Sequence, residues 1–143
     1  METTWVLAAD ASRARLFEVL DRNQAVSEIE NFVHVQSREY DRELRTDAQG
    51  RAHGGLVGHS IPPRTDPSEH EADVFSRSLG DFLEQARNEH RYDKLCLIAP
   101  PKFLGRLRQH LSTDAQRLVE KEIAKDISWF DQQQIADYIR NIN

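Results

Sequence analysis

The sequence predicts a single α/β domain, and the layout of its apolar residues is what predicts it. Short apolar runs joined by tight polar links open the chain. Long amphipathic stretches follow, with one further apolar run between them. Consecutive strands, then strands alternating with helices, describe a sheet with helices packed on it. A chain of 143 residues suits one domain that can bury its own core.

Thr4 to Ala9 is an apolar run without polar alternation, as expected of a strand covered on both faces. Asp10-Ala11-Ser12 supplies turn chemistry, because Asp and Ser side chains bond nearby backbone groups. Arg13 to Leu20 resumes a strand, with Ala14, Leu16 and Glu18 opposite Arg15, Phe17 and Val19. A second turn at Asp21 to Gln24 leads to a third strand, Val26 to Val35, and the three read as an antiparallel meander. From Gln36 to Pro67 the chain is polar and rich in Gly and Pro. A loop of that length is unusual in a compact domain, and is commonly functional or disordered.

Asp66-Pro67-Ser68-Glu69 reads as a helix start, with Asp66 as N-cap, Pro67 at the first position and acids against the positive end. Phe75, Leu79, Phe82, Leu83 and Ala86 then form one apolar stripe, running to about His90. Leu95 to Ala99 is a buried strand closed by Pro100-Pro101, and Lys102 to His110 a helix with Phe103, Leu104 and Leu107 inward. The tail after Ser112 supports two readings. Leu111, Ala115, Leu118, Val119 and Ile123 have helical spacing, and this reading is the favoured one. A strand from about Leu118 to Ala124 would instead put Val119, Lys121 and Ile123 on one face. Asp131 to Arg140 reads as a closing helix, and the chain has no internal repeat or low-complexity tract.

Composition excludes several classes. A net charge of −5 supplies no general attraction to nucleic acid. The single cysteine, Cys96, rules out an internal disulfide and suits a reducing compartment; its apolar neighbours make it a buried, inert thiol. Met1-Glu2-Thr3-Thr4 carries an acid where an export signal has a base, and no apolar run is long enough for a membrane span, so a cytoplasmic protein is expected. Trp5 and the phenylalanines read as core, and Trp129 as part of a packed helix junction.

Several stretches together resemble a known family. They are Trp5 to Asp10 with Ala14 to Phe17, Asp47 to Arg51, Thr65-Asp66-Pro67 with Phe75, Ala99 to Arg108, and Glu122 to Asp126. In this order, over nearly the whole chain, they are similar to bacterial proteins described as required for attachment to host cells. That family is in turn similar to the middle domain of class-one release factors and Pelota. The resemblance implies a ribonuclease H-like, five-stranded mixed sheet of order 3-2-1-4-5, with strand 2 antiparallel and helices on both faces. It also makes the stretch near Leu118 to Ala124 the fifth strand. By the same resemblance the protein is non-enzymatic and implicated in attachment, with an unknown protein partner. A ribosome- or RNA-associated role is the alternative, and a metal-dependent nuclease a further one.

The candidate chemistry divides into four groups. Release factors carry a Gly-Gly-Gln loop, and His53-Gly54-Gly55-Leu56 lies in the corresponding region; it lacks the glutamine, and Leu56 cannot orient a water. His53, His59 and His70, with Asp66 and Glu69, match no compact metal motif, so no metal or cofactor is implied and a solvated loop is the expectation. Asp10 and Asp126 stand where a two-metal nuclease of this fold would want acids, but two carboxylates make an incomplete set. Asp10 is expected to organise the first turn instead. Arg13, Arg15, Arg51, Arg64, Lys102, Arg106 and Arg108 are candidates for an anion- or RNA-binding surface, and the helix after Pro101 offers free N–H groups to a phosphate. Arg106 and Arg108, two residues apart, diverge on a helix and make no joint clamp. The residues singled out for binding are Asp10, Arg15, Arg51, His53, Gly54, Gly55, Arg64 and Lys102, with no catalytic residue among them.

Overall fold

A computed structural model describes residues 2–20, 25–34 and 67–142 of the chain. Strands β1 (Thr3–Ala9), β2 (Arg13–Leu20) and β3 (Ala25–Val33) come first. Helix α1 (Pro67–Asn88), strand β4 (Lys94–Ala99) and helices α2 (Pro101–Gln109) and α3 (Thr113–Leu118) follow, then strand β5 (Val119–Ala124) and helix α4 (Gln132–Ile142). The strands form one mixed sheet of order β3-β2-β1-β4-β5. β2 runs antiparallel to β1 and β3, while β1, β4 and β5 are mutually parallel. Fold class, strand order and the antiparallel second strand are therefore as the sequence and its resemblance indicate.

The central strands β1 and β4 are buried on both faces, which is why their sequences show no polar alternation. Trp5, Leu7 and Ala9 of β1 join Leu95, Leu97 and Ala99 of β4 on one face, covered by Phe75, Leu79 and Leu83 of α1, Leu107 of α2 and Ala115 of α3. Val6 and Ala8 with Cys96 and Ile98 line the other face, covered by Ile135 and Ile139 of α4. Burial pushes the Cys96 thiol up to about 11, so it stays protonated and inert.

β3 shows how a register is corrected. Val26 packs on the α4 face, whereas Ile29 and Phe32, three residues apart, both pack on the α1 face. Strict alternation forbids that. A bulge resolves it: Phe17 pairs with Glu28 and Leu16 with Glu30, so Ile29 is the extra residue and parity resets there.

Both readings of the tail hold in part. Residues 113–118 are helical and residues 119–124 extended. The switch falls at Val119, whose extended backbone closes α3, and the strand then half-buries Val119, Lys121 and Ile123 on one side. The helix α3 is capped by Ser112, which accepts from Ala115 N at 3.0 Å and donates to Glu84 of α1 at 2.7 Å.

Helix α1 ends where a residue turns left-handed. His90 has φ 58°; its N–H reaches Arg87 O and that of Arg91 reaches Ala86 O, the bonding of a Schellman cap. Tyr92 then folds back, donating to Leu83 O at 2.9 Å and stacking on Trp5 at 4.9 Å.

Two glycines define a test of packing. A Cβ on Gly80 of α1 would lie 2.5 Å from the His110 carbonyl oxygen, whereas one on Gly105 of α2 would meet nothing within 4 Å. Gly80→Ala is expected to destabilise by about 1–2 kcal/mol, because backbone overlap outweighs the helix-propensity gain. Gly105→Ala, with only the gain, is expected to stabilise by about 0.5–1 kcal/mol. Urea midpoints of the two variants should move in opposite directions from that of the parent chain.

A second test is electrostatic. Hydrogen bonds from Arg87 and then Ser112 lower the Glu84 carboxyl from its ordinary 4.5 to about 2. A depressed carboxylate stabilises the fold above its unfolded value and loses that contribution as pH falls through the folded one. The α1–α3 contact is thus expected to weaken between pH 4.5 and about 2, and Glu84→Gln should flatten that limb of a stability–pH curve.

Candidate functional site

The edge of the sheet formed by the C-terminal ends of β1 and β4 carries a concavity. β1 leaves toward β2 on one side, and β4 leaves toward β5 on the other. Parallel neighbours whose connections diverge leave a crevice between them, and open α/β sheets place ligands there. The crevice has a volume of about 410 Å³. Its walls are the turn Asp10–Ser12 after β1, Ser68, Glu69 and Ala72 at the start of α1, and Pro100 with Lys102, Phe103 and Arg106 of α2.

Asp10 builds the turn. Its Oδ1 accepts from Ser12 N at 2.9 Å, Arg13 N at 2.9 Å and Ser12 Oγ at 3.3 Å. Its Oδ2 accepts from Ser128 Oγ at 2.9 Å, and Ser128 Oγ also lies 2.9 Å from Asp126 Oδ1. The two acids are therefore linked through one buried hydroxyl, and both Asp10 oxygens are engaged by protein donors. Among the described residues no group of three or more His, Cys, Asp and Glu could hold a metal ion. His70 is exposed, and His34 is paired with Glu71 at 2.8 Å.

α2 starts without a side-chain cap, Pro100 being its N-cap and Pro101 its first residue. Leu104 N reaches Pro100 O at 2.9 Å, so the N–H groups of Lys102 and Phe103 are the ones of this end left without an acceptor among the described residues. Lys102 is 72% exposed and paired with Glu69, and Arg106 lies 3.6 Å from Asp73. Asp73 also meets His110 at 2.9 Å, and that contact is the main reason its carboxyl lies below the ordinary range. The crevice lining thus combines apolar Ala11, Ala72 and Phe103 with charges of both signs.

Arg15 is placed differently. It is 5% exposed, forms a bidentate pair with Glu28 at 2.9 and 3.1 Å, and donates to the carbonyls of Ser128 and Phe130. Arg108 faces away from the crevice, bonded to Glu122 at 3.0 Å. It diverges from Arg106, as their spacing on the helix requires. Arg51, His53, Gly54, Gly55 and Arg64 lie outside the described residues, as do His59 and Asp66. Of the residues singled out from sequence, the structure brings Asp10 and Lys102 to one crevice. Arg106 and the apolar lining complete it.

Trp129 corrects an expectation. A packed helix junction was expected there, yet its side chain is 67% exposed. The inward positions of the turn are taken by Ile127, Ser128 and Phe130, so the residue between Ser128 and Phe130 points out.

Fold and crevice together define a mixed α/β domain with a concavity at the switch point of its sheet. Residues 5–139 match the family described as "Protein required for attachment to host cells", and the chain belongs to it. An uncharacterised protein of Rickettsia prowazekii (strain Madrid E) is 38% identical over 72 residues, covering 49% of this chain and 48% of that protein. The match thus spans about half of that relative. Among solved structures, the type II variant of the Aquifex aeolicus Ppx/GppA phosphatase has a TM-score of 0.43 at 12% identity, covering 86% of this chain and 36% of that one. A structure described as an archaeal protein has a TM-score of 0.44 at 7% identity, covering 98% of this chain and 39% of its own. Likeness at this level specifies neither ligand nor reaction.

The bonding of Asp10 sets a test of its role. Asp10→Ala strands several donors and is expected to cost about 1–3 kcal/mol. Asp10→Asn keeps an Oδ1 acceptor for the turn and offers an N–H to Ser128 Oγ, so its loss should be under about 1 kcal/mol. Equal losses in chemical denaturation would show that charge, and not turn bonding, is what matters.

Proposed function

We propose that this protein serves attachment to host cells as a non-enzymatic binding domain acting from the cytoplasm, with the switch-point crevice as its ligand site. Attachment would then be a downstream consequence of ligand binding and not adhesion by this chain itself. The supporting observation is the uncapped start of α2, which opens on the crevice beside Lys102 and Arg106. Free N–H groups at a helix start favour an anion, and the flanking cations add to the attraction.

The ligand chemistry follows from the lining. Ala11, Ala72 and Phe103 suit an apolar or planar body, and the α2 end suits a phosphate or carboxylate. Glu69 and Asp73 already hold Lys102 and Arg106, so an incoming anion has to compete with internal carboxylates. The exposed Lys102–Glu69 pair contributes little and exchanges readily, whereas the half-buried Arg106–Asp73 pair is the firmer of the two. Both oxygens of Asp10 are occupied by structural bonds, which fits a binding role better than a catalytic one. Among the described residues no helix is long and apolar enough to cross a membrane.

Calorimetric titration with inorganic phosphate and adenosine monophosphate tests the proposal. The nucleotide is expected to bind more tightly than phosphate, and Lys102→Ala with Arg106→Ala to weaken both by about tenfold, the effect of roughly 1.4 kcal/mol. Cells lacking the gene and supplied with Lys102→Glu should attach no better than the deletion strain. Titration heats identical to those of sodium chloride, or unchanged by the double variant, would remove the crevice from the account.

A further inference from the structure

On the opposite side of the Asp10 turn lies a second groove, of about 440 Å³, with Trp129 on one wall and Arg13, Asn31 and Val33 on the other. Trp129 and Val33, 67% and 44% exposed, are two of the three exposed large apolar side chains among the described residues. Leaving an indole in water forfeits burial that few surface positions give up without a partner.

The ring is nevertheless fixed. Its N–H donates to Asp126 O at 3.0 Å, and it packs edge-on against Phe130 at 4.6 Å between centroids. The residues on either side are anchored from within. Arg15, itself buried, donates to the carbonyls of Ser128 and Phe130, and the Ser128 hydroxyl is buried against Asp10 and Asp126. An exposed aromatic held this rigidly has already lost the freedom that docking would otherwise cost it, as hot-spot side chains do.

Charge decides what fits. Asp126 and Asp131 flank Trp129 and are exposed, Asp10 lines the groove, and Glu30 lines the adjoining concavity that shares Asn31. Against these four acids stand, among the described residues, Arg13 in the wall and Lys125, whose ammonium lies over Tyr138; Arg15 is neutralised by Glu28. A phosphate backbone would meet net repulsion here. A guanidinium would meet an indole face and surplus carboxylate together.

We propose that the Trp129–Val33 groove docks an arginine-bearing segment of another protein, with a guanidinium over the indole and an aliphatic residue against Val33. This surface is distinct from the crevice, and its occupancy does not depend on an anion binding there.

Fluorescence anisotropy of a fluorescein-labelled hexa-arginine peptide, titrated with the full chain, tests this. Saturable binding is expected, weaker for hexa-lysine and absent for hexa-glutamate. Trp129→Ala should weaken it by about tenfold, and Asp126→Asn with Asp131→Asn by a comparable factor. Trp129→Ala is expected to leave the thermal midpoint within about 2 °C, since the side chain is mostly in water. Affinity unchanged by Trp129→Ala would overturn the proposal. So would Trp129-dependent binding of a single-stranded oligonucleotide, or a dimer in sedimentation that Trp129→Ala dissolves.

Discussion

The buried cation at Arg15 holds the two ends of the chain together. Its guanidinium lies on the α4 face of the sheet and is satisfied by the Glu28 carboxylate on β3 and by the Ser128 and Phe130 carbonyls after β5. Desolvating a guanidinium and a carboxylate costs several kcal/mol each, and only close geometry with further hydrogen bonds repays it. Here the repayment comes from segments 113 and 115 residues away in sequence. The turn before α4 is consequently welded to β2, and Phe17, under the guanidinium at 5.3 Å, fills the remaining side.

That weld positions the edge of the sheet that carries the crevice. Ser128 is buried because its carbonyl answers Arg15 while its hydroxyl answers Asp10, and Asp10 in turn shapes the link from β1 to β2. The direction in which that link leaves is half of what opens the crevice. The other half is Pro100-Pro101, which ends β4 and starts α2 without a cap. Pro101 suits the first helical position because its missing N–H is one the helix would leave unpaired. One consequence is that the free donors of α2 begin at Lys102, directly beside the cation most able to support them.

Much of this was legible in the sequence. Unalternating apolar runs disclosed β1 and β4, Asp10-Ala11-Ser12 disclosed its turn, and the stripe from Phe75 to Ala86 disclosed the long helix. What stayed hidden depended on distant partners. The bulge at Ile29 appears in sequence only as two apolar residues at the wrong spacing. The stretch after Ser112 has helical and strand periodicity in turn, and its division at Val119 is set by pairing with Leu95. Arg15 looks like a surface cation until Glu28 and two carbonyls are brought to it. Trp129 looks like part of a packed helix junction because its type is usually covered. Only the burial of Ile127 and Ser128, with Phe130 partly buried beside them, shows that no inward position is left for it. A Trp beside two exposed acids was the available clue.

The Asp10 turn has the crevice on one side and the Trp129 groove on the other, and Asp10 and Ser12 line both. A carboxylate so placed would be expected to serve a reaction if its oxygens were free. Instead it accepts from two backbone N–H groups and two hydroxyls, each bond fixing one wall of one cavity. Rotating Asp10 to act as a base would abandon those walls, so chemistry and shape compete for one side chain. In this fold shape has the stronger claim, because the turn's link to Ser128 is also the link to the buried Arg15. The rigidity of an edge with two recesses thus rests on the same bonds that engage both oxygens of its best-placed acid.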